Sequence, residues 1–207
     1  MKALGFLVLL AAATLSARSA QVASLDLLRR AADANPGLQS YTASAELSAT
    51  LHALVPLHRT FNGTVYYLKP KRKVEFNNVS GPLSRFKDLA SSTPSYEDLT
   101  AEYTVTPLGD TGTLSSYSLV PKKTGSRVEK LNVTIDDAQA LIRHAEWLYA
   151  GGGKLDLDQT YAAVGTFQLP AKADIAARFP DYSVDGVLSF SGYKPNAPVS
   201  PAVFASP

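Results

Sequence analysis

The side chains that could do chemistry are few and scattered. Three histidines occur in the 207 residues, and there is no cysteine. His52 and His58 flank the turn expected at Val55-Pro56 and could face each other across it, but no carboxylate accompanies them at metal-ligand spacing, so they read as solvated turn residues. His144 stands two residues before Glu146, on the same face of an expected strand. Such a pair is more often structural than a general base with its orienting group. Asp156 and Asp158 likewise share a strand face, as do Lys73 and Glu75, which fits a solvated surface. Gly151-Gly152-Gly153-Lys154 lacks the glycine spacing of a phosphate loop and is followed by leucine instead of Ser or Thr, so it reads as a flexible hairpin. The basic run Lys69, Lys71, Arg72, Lys73 reads as charge protecting a strand edge, with a contact patch for an anionic partner as the weaker reading. The Asn-x-Ser/Thr triplets at Asn62, Asn78 and Asn132 read as coincidence, since Asn62 and Asn132 fall inside expected strands. No catalytic set, metal site or cofactor is expected.

The elements around these residues are mostly strands. Met1 and Lys2, the apolar run Leu4 to Ala13 and the small residues Ala17 to Ala20 have the order of a secretory signal peptide, with cleavage expected after Ser19. Residues 20–207 are then expected to form one domain. Removal of 1–19 takes Lys2 and Arg18 from the 20 basic residues, leaving 18 against 18 acidic ones, a balance that argues against nucleic-acid binding. Without cysteine there is no disulfide and no lipid-anchoring cysteine, so the expected location is the periplasm, free of an anchor.

Ser24 is expected to cap a short helix with Leu25, Leu28 and Ala32 on one face, stopped by Asn35-Pro36-Gly37. The period then changes to two: Tyr41, Ala43, Ala45, Leu47, Ala49, Leu51 and Ala53 alternate with polar residues, predicting a long strand with one apolar face. Strands follow at 60–68 and 71–79. Residues 80–101 do not alternate; Leu83, Phe86 and Leu89 have helical spacing after Gly81-Pro82, and a further helical turn is expected from Thr93-Pro94 to Leu99. Such a segment is a lid, a binding loop or a disordered insert, and its aromatic and leucine content argues most against disorder. Strand signals resume at 102–107, 113–121, 127–135, 140–149, 154–160, 167–175 and 183–190, about ten in all, joined as sequential hairpins.

This predicts a mainly β (α+β) fold: a curved antiparallel sheet capped by an N-terminal helix and a short helical lid. Its apolar interior is either core or cavity, and close packing favours core. Residues expected to face that interior are Leu47, Leu51, Phe61, Val65, Tyr67, Val74 and Phe76 from the first strands. Leu83 and Phe86 join them from the lid, and Trp147, Leu188 and Phe190 from later strands.

Several segments, in order, resemble the LolA/LolB-like family of outer-membrane lipoprotein carriers and sorting proteins. They are Leu28-Arg-Arg with Asn35-Pro-Gly-Leu-Gln-Ser-Tyr41, Phe61-Asn-Gly-Thr-Val-Tyr-Tyr-Leu-Lys-Pro70, Lys73-Val-Glu-Phe76, Tyr117-Ser-Leu-Val-Pro-Lys-Lys123, and Phe190-Ser-Gly-Tyr-Lys-Pro-Asn196 with Phe204. The resemblance implies a half-open β-barrel with a helical lid over a hydrophobic cavity. It implies a monomer that binds acyl chains of lipids or lipoproteins, carries them towards the outer membrane and meets inner- and outer-membrane transport components. It also implies an arginine that holds the lid closed, for which Arg59, Arg72, Arg85, Arg127 and Arg143 are candidates. A sensor or regulator of a membrane partner is the alternative reading, and an envelope hydrolase a weaker one.

Overall fold

The structure, a computed structural model, describes residues 25–52, 55–77 and 95–205. The expected signal peptide, Ser24, Asn78, Leu83, Arg85 and Phe86 lie outside the described residues. The described chain begins in a helix at 25–32 (α1). Ten strands follow: β1 (Ser40–His52), β2 (Leu57–Leu68), β3 (Lys71–Phe76), β4 (Tyr103–Thr111), β5 (Leu114–Pro121), β6 (Val128–Asp136), β7 (Leu141–Tyr149), β8 (Gly153–Val164), β9 (Phe167–Phe179) and β10 (Tyr182–Pro195). A second helix, α2 (Tyr96–Glu102), precedes β4, and a 3₁₀ turn, η1 (Pro201–Phe204), follows β10.

All ten strands form one sheet in the order β3-β2-β1-β10-β9-β8-β7-β6-β5-β4. Every neighbouring pair is antiparallel. The pairing of β1 with β10 joins the N-terminal three-strand meander to the C-terminal seven-strand one; β3 and β4 are left as the two edges, so the sheet curves into a half-open barrel with helical caps.

The alternation expected in β1 sets the faces of the whole sheet. Leu47 pairs with Phe61 on one side and Leu188 on the other, and Ala43 pairs with Val65, which pairs with Val74. A second row runs from Ile175 through Leu157, Ala145 and Val133 to Tyr117. Strand side chains alternate with a period of two, so these rows put the apolar residues of every strand on one face, the concave one. That face packs into two clusters: one over β1, β2, β3, β8, β9 and β10, the other from α1 over β5, β6 and β7; Trp147 and Leu157 pack against both.

α1 buries Leu27 and Leu28, with Ala31 beside them, against the second cluster. The expected face of Leu25, Leu28 and Ala32 is thus rotated by part of a turn, since Leu27 and Leu28 are the residues that join the cluster over β5, β6 and β7. Arg29 lies 4.8 Å over the Tyr96 ring, linking α1 to α2. Ser95 caps α2, its hydroxyl accepting a hydrogen bond from the Asp98 amide; the start expected at Thr93-Pro94 lies outside the described residues.

The segments that carried the family resemblance hold chain ends in place. The Asn35 side chain acts as a strand partner for the start of β9, donating to Gln168 O at 2.9 Å and accepting from Gln168 N at 2.8 Å. Asn196, at a φ of 55°, accepts from Gln39 N at 2.9 Å through its side chain. The first tie pairs both backbone groups of Gln168 in β9, and the second pairs the Gln39 amide of the α1–β1 linker, so none of these three is left unsatisfied.

Candidate functional site

Two concavities stand out among the described residues, one on each face of the sheet. The larger, about 500 Å³, is on the outer face and is lined by Ser48, Thr50, His58 and four aspartates. Its charges are already matched. Asp185 pairs with Arg178 and, at 2.9 Å, with His52; Asp174 pairs with Lys172; Asp156 pairs with Lys154 at 3.2 Å; Asp158 pairs with His144 at 2.8 Å. His58 meets Thr50 at 3.0 Å, so it does not face His52. His144 likewise turns to Asp158 rather than to Glu146, whose carboxylate is held by Lys154 at 2.6 Å and Asn132 at 2.7 Å. No group of three or more metal-ligating side chains comes together among the described residues. This is a solvated, ion-paired surface.

The second concavity lies on the apolar face and is the candidate site. It measures about 70 Å³ and sits where the two clusters meet. Of the residues expected to face the interior, Leu47, Val74, Phe76, Trp147, Leu188 and Phe190 line it. Leu51, Phe61, Val65 and Tyr67 belong to the same apolar cluster but lie away from the cavity. Leu155, Leu157, Ala173 and Ile175 complete the apolar wall from β8 and β9, and two polar residues, Arg72 and Gln159, interrupt it. Among the described residues the side chains around it pack closely, in line with the expectation from the usual density of protein interiors.

Aromatic residues mark both ends of the face. At one end Tyr41 stacks on Tyr67 with centroids 4.9 Å apart and meets Tyr193 edge-on at 5.3 Å. At the other, Phe179 packs against Tyr149 at 5.4 Å and Tyr182 at 5.1 Å. Burial pushes the phenols of Tyr41, Tyr161 and Tyr193 up, partly offset in each by the Arg72 charge, so they are neutral at physiological pH.

Two glycines allow this packing. A Cβ on Gly63 would overlap the Glu75 carbonyl and the Phe76 ring, and one on Gly153 would overlap the Phe179 ring. Gly153 opens β8 after the turn at Gly151 and Gly152, both at positive φ, so the triple-glycine segment is a hairpin shaped by that ring.

Among the arginine candidates, Arg59 is exposed and donates to the His58 carbonyl, Arg127 is exposed, and Arg143 is bound by Asp136 and Gln139. Arg72 faces the interior, 5.2 Å over the Phe190 ring. The charge run around it hid this position, although Arg72 is in phase with Val74 and Phe76.

No protein-family model matches the sequence, and no curated protein matches it. Solved structures do match in fold. A lipoprotein-sorting protein domain from Vibrio parahaemolyticus superposes with a TM-score of 0.62 at 14% identity, covering 87% of this chain and 95% of that one. A LolA superfamily protein from Nitrosomonas europaea gives 0.57 at 11% identity over 88% and 97% of the two chains. A DUF1329 family protein from Desulfovibrio piger gives 0.58 at 15% identity over 88% and 96%. The chain therefore has the LolA-like fold, that of a curved half-open barrel with an apolar concave face.

Proposed function

We propose that this protein is a periplasmic carrier that shields acyl chains of lipids or lipoproteins against its concave face and catalyses no reaction. The observation that carries this reading is one apolar face made of two clusters joined by Trp147 and Leu157, with its cavity lined by Leu47, Trp147, Leu157, Ile175 and Leu188. An acyl chain gains about 0.8 kcal/mol per buried CH₂, so a carrier in water needs an apolar surface of this kind. Loading has to widen a cavity of about 70 Å³. The open edges permit this, because β3 and β4 share no ladder hydrogen bonds that would have to break. The likeness to a lipoprotein-sorting domain and a LolA superfamily protein supports the same reading.

The test is native mass spectrometry of protein exported and purified without detergent. Co-purifying lipid is expected. A protein that is always ligand-free and leaves the emission of a fluorescent fatty acid unchanged would sink the proposal.

A further inference from the structure

The apolar interior contains a positive charge that none of the described residues neutralises. Arg72 stands on β3 opposite Tyr67 and lines the cavity together with Gln159. Its Nε is buried and has no hydrogen-bond partner among the described residues. Among the described residues Arg72 belongs to none of the ion pairs, whereas Lys73 next to it holds Glu75 at 2.7 Å and donates to Val203 O at 2.8 Å. A guanidinium does not shed its proton, so it cannot escape burial by becoming neutral. A donor left unsatisfied in such a place is costly.

The groups beside it do not supply the missing anion. Tyr161 donates to Ile142 O at 2.9 Å and Tyr193 to Pro170 O at 2.6 Å, and both phenols stay protonated. Gln159 donates to the Tyr161 hydroxyl. The contact with the Phe190 ring stabilises the charge without occupying its hydrogen-bonding edge.

We propose that Arg72 is the seat for an anionic head group, so that the ligand is an acyl amphiphile ending in a carboxylate or phosphate. The head group bonds to the Arg72 guanidinium beside Gln159, and the tail lies against Trp147, Leu157 and Leu188. This inference rests on the acyl-carrier reading and adds the charge of the ligand to it.

Trp147 is the protein's single tryptophan and lines the same cavity, so bromine on an acyl chain quenches its emission on binding. Three probes share one brominated chain and differ in the head: a carboxylate, its neutral methyl ester and a lysophosphatidate. All are titrated below micelle-forming concentrations. At least one anion is expected to bind about tenfold or more tighter than the ester, as a charged hydrogen bond would provide, and the tighter arm tells carboxylate from phosphate. Arg72→Gln is expected to erase the preference, bringing the anions down to the affinity of the ester. Arg72→Lys, which keeps the charge, is expected to retain part of it. Equal binding of anions and ester by the unsubstituted protein overturns the assignment to Arg72 and leaves the acyl-carrier reading standing; so does a preference that survives in Arg72→Gln. Quenching by none of the probes overturns both. The head-group comparison needs no substitution, so it decides the matter even if Arg72→Gln fails to fold.

Discussion

Arg72 and Gln159 show how a strand's period outranks local composition. Arg72 sits in a run of lysines that reads as edge protection, yet it is two residues from Val74 and four from Phe76, both buried. Gln159 follows Leu155 and Leu157 in the same way. A period-two count through each strand would have placed both inside; composition alone pointed outward. The carboxylates of the outer face and turns carry a separate, pH-dependent consequence. The Lys154 ammonium and the Asn132 amide hold the Glu146 carboxyl below its ordinary range. Arg178, with His52, does the same for Asp185, and the Gln139 amide and Arg143 do so for Asp136. Each therefore takes up a proton less readily folded than unfolded. The stability they contribute is full above the ordinary carboxylate range and is lost as pH falls through their lowered values. Urea midpoints measured from neutral pH down to about pH 3 should drop steeply in the unsubstituted protein. In Glu146→Gln the fall should be shallower; an unchanged slope would show that Glu146 contributes nothing to it.

At the scale of elements, the strands were legible because β1 alternates without a break from Tyr41 to Leu51, and that pattern fixes which face is apolar. The ends were less so. The strand expected at 102–107 runs on to Thr111 as β4, with an irregularity at Pro107/Gly109. β9 and β10 extend well past their expected limits, to Phe179 and Pro195. Small residues such as Ala173 and Ala177 weaken the hydropathy signal there although both are buried. The hairpin between β7 and β8 can be tested directly. Gly153→Ala would force a Cβ into the Phe179 ring and should cost about 1–3 kcal/mol, as overpacking does, read as a lowered urea midpoint. Gly152→Ala, with open space around its Cβ position but a positive φ, should cost about 1 kcal/mol. Equal losses at the two sites would mean that ring contact is not what Gly153 serves.

For the whole molecule, the sequence pointed to a capped antiparallel sheet but not to how the sheet closes. β1 and β10 pair across almost the entire chain, from Tyr41↔Pro195 to His52↔Ser183, and no local pattern encodes so distant a register. The resemblance implied a half-open barrel without saying which strands pair across the chain; that pairing comes from the structure. Among the described residues the apolar face packs into two clusters with a small cavity at their seam.

The central claim is that acyl chains occupy that seam. Ala173 is buried in the cavity wall, and Ala173→Leu fills the space from the floor at a cost of about 1–3 kcal/mol. The most direct measurement is Trp147 emission during titration with a brominated fatty acid, in the unsubstituted protein and in folded Ala173→Leu. Saturable quenching in the first and its loss in the second is the predicted result. A probe that binds without quenching Trp147, or that quenches both proteins equally, would contradict an acyl site at the seam.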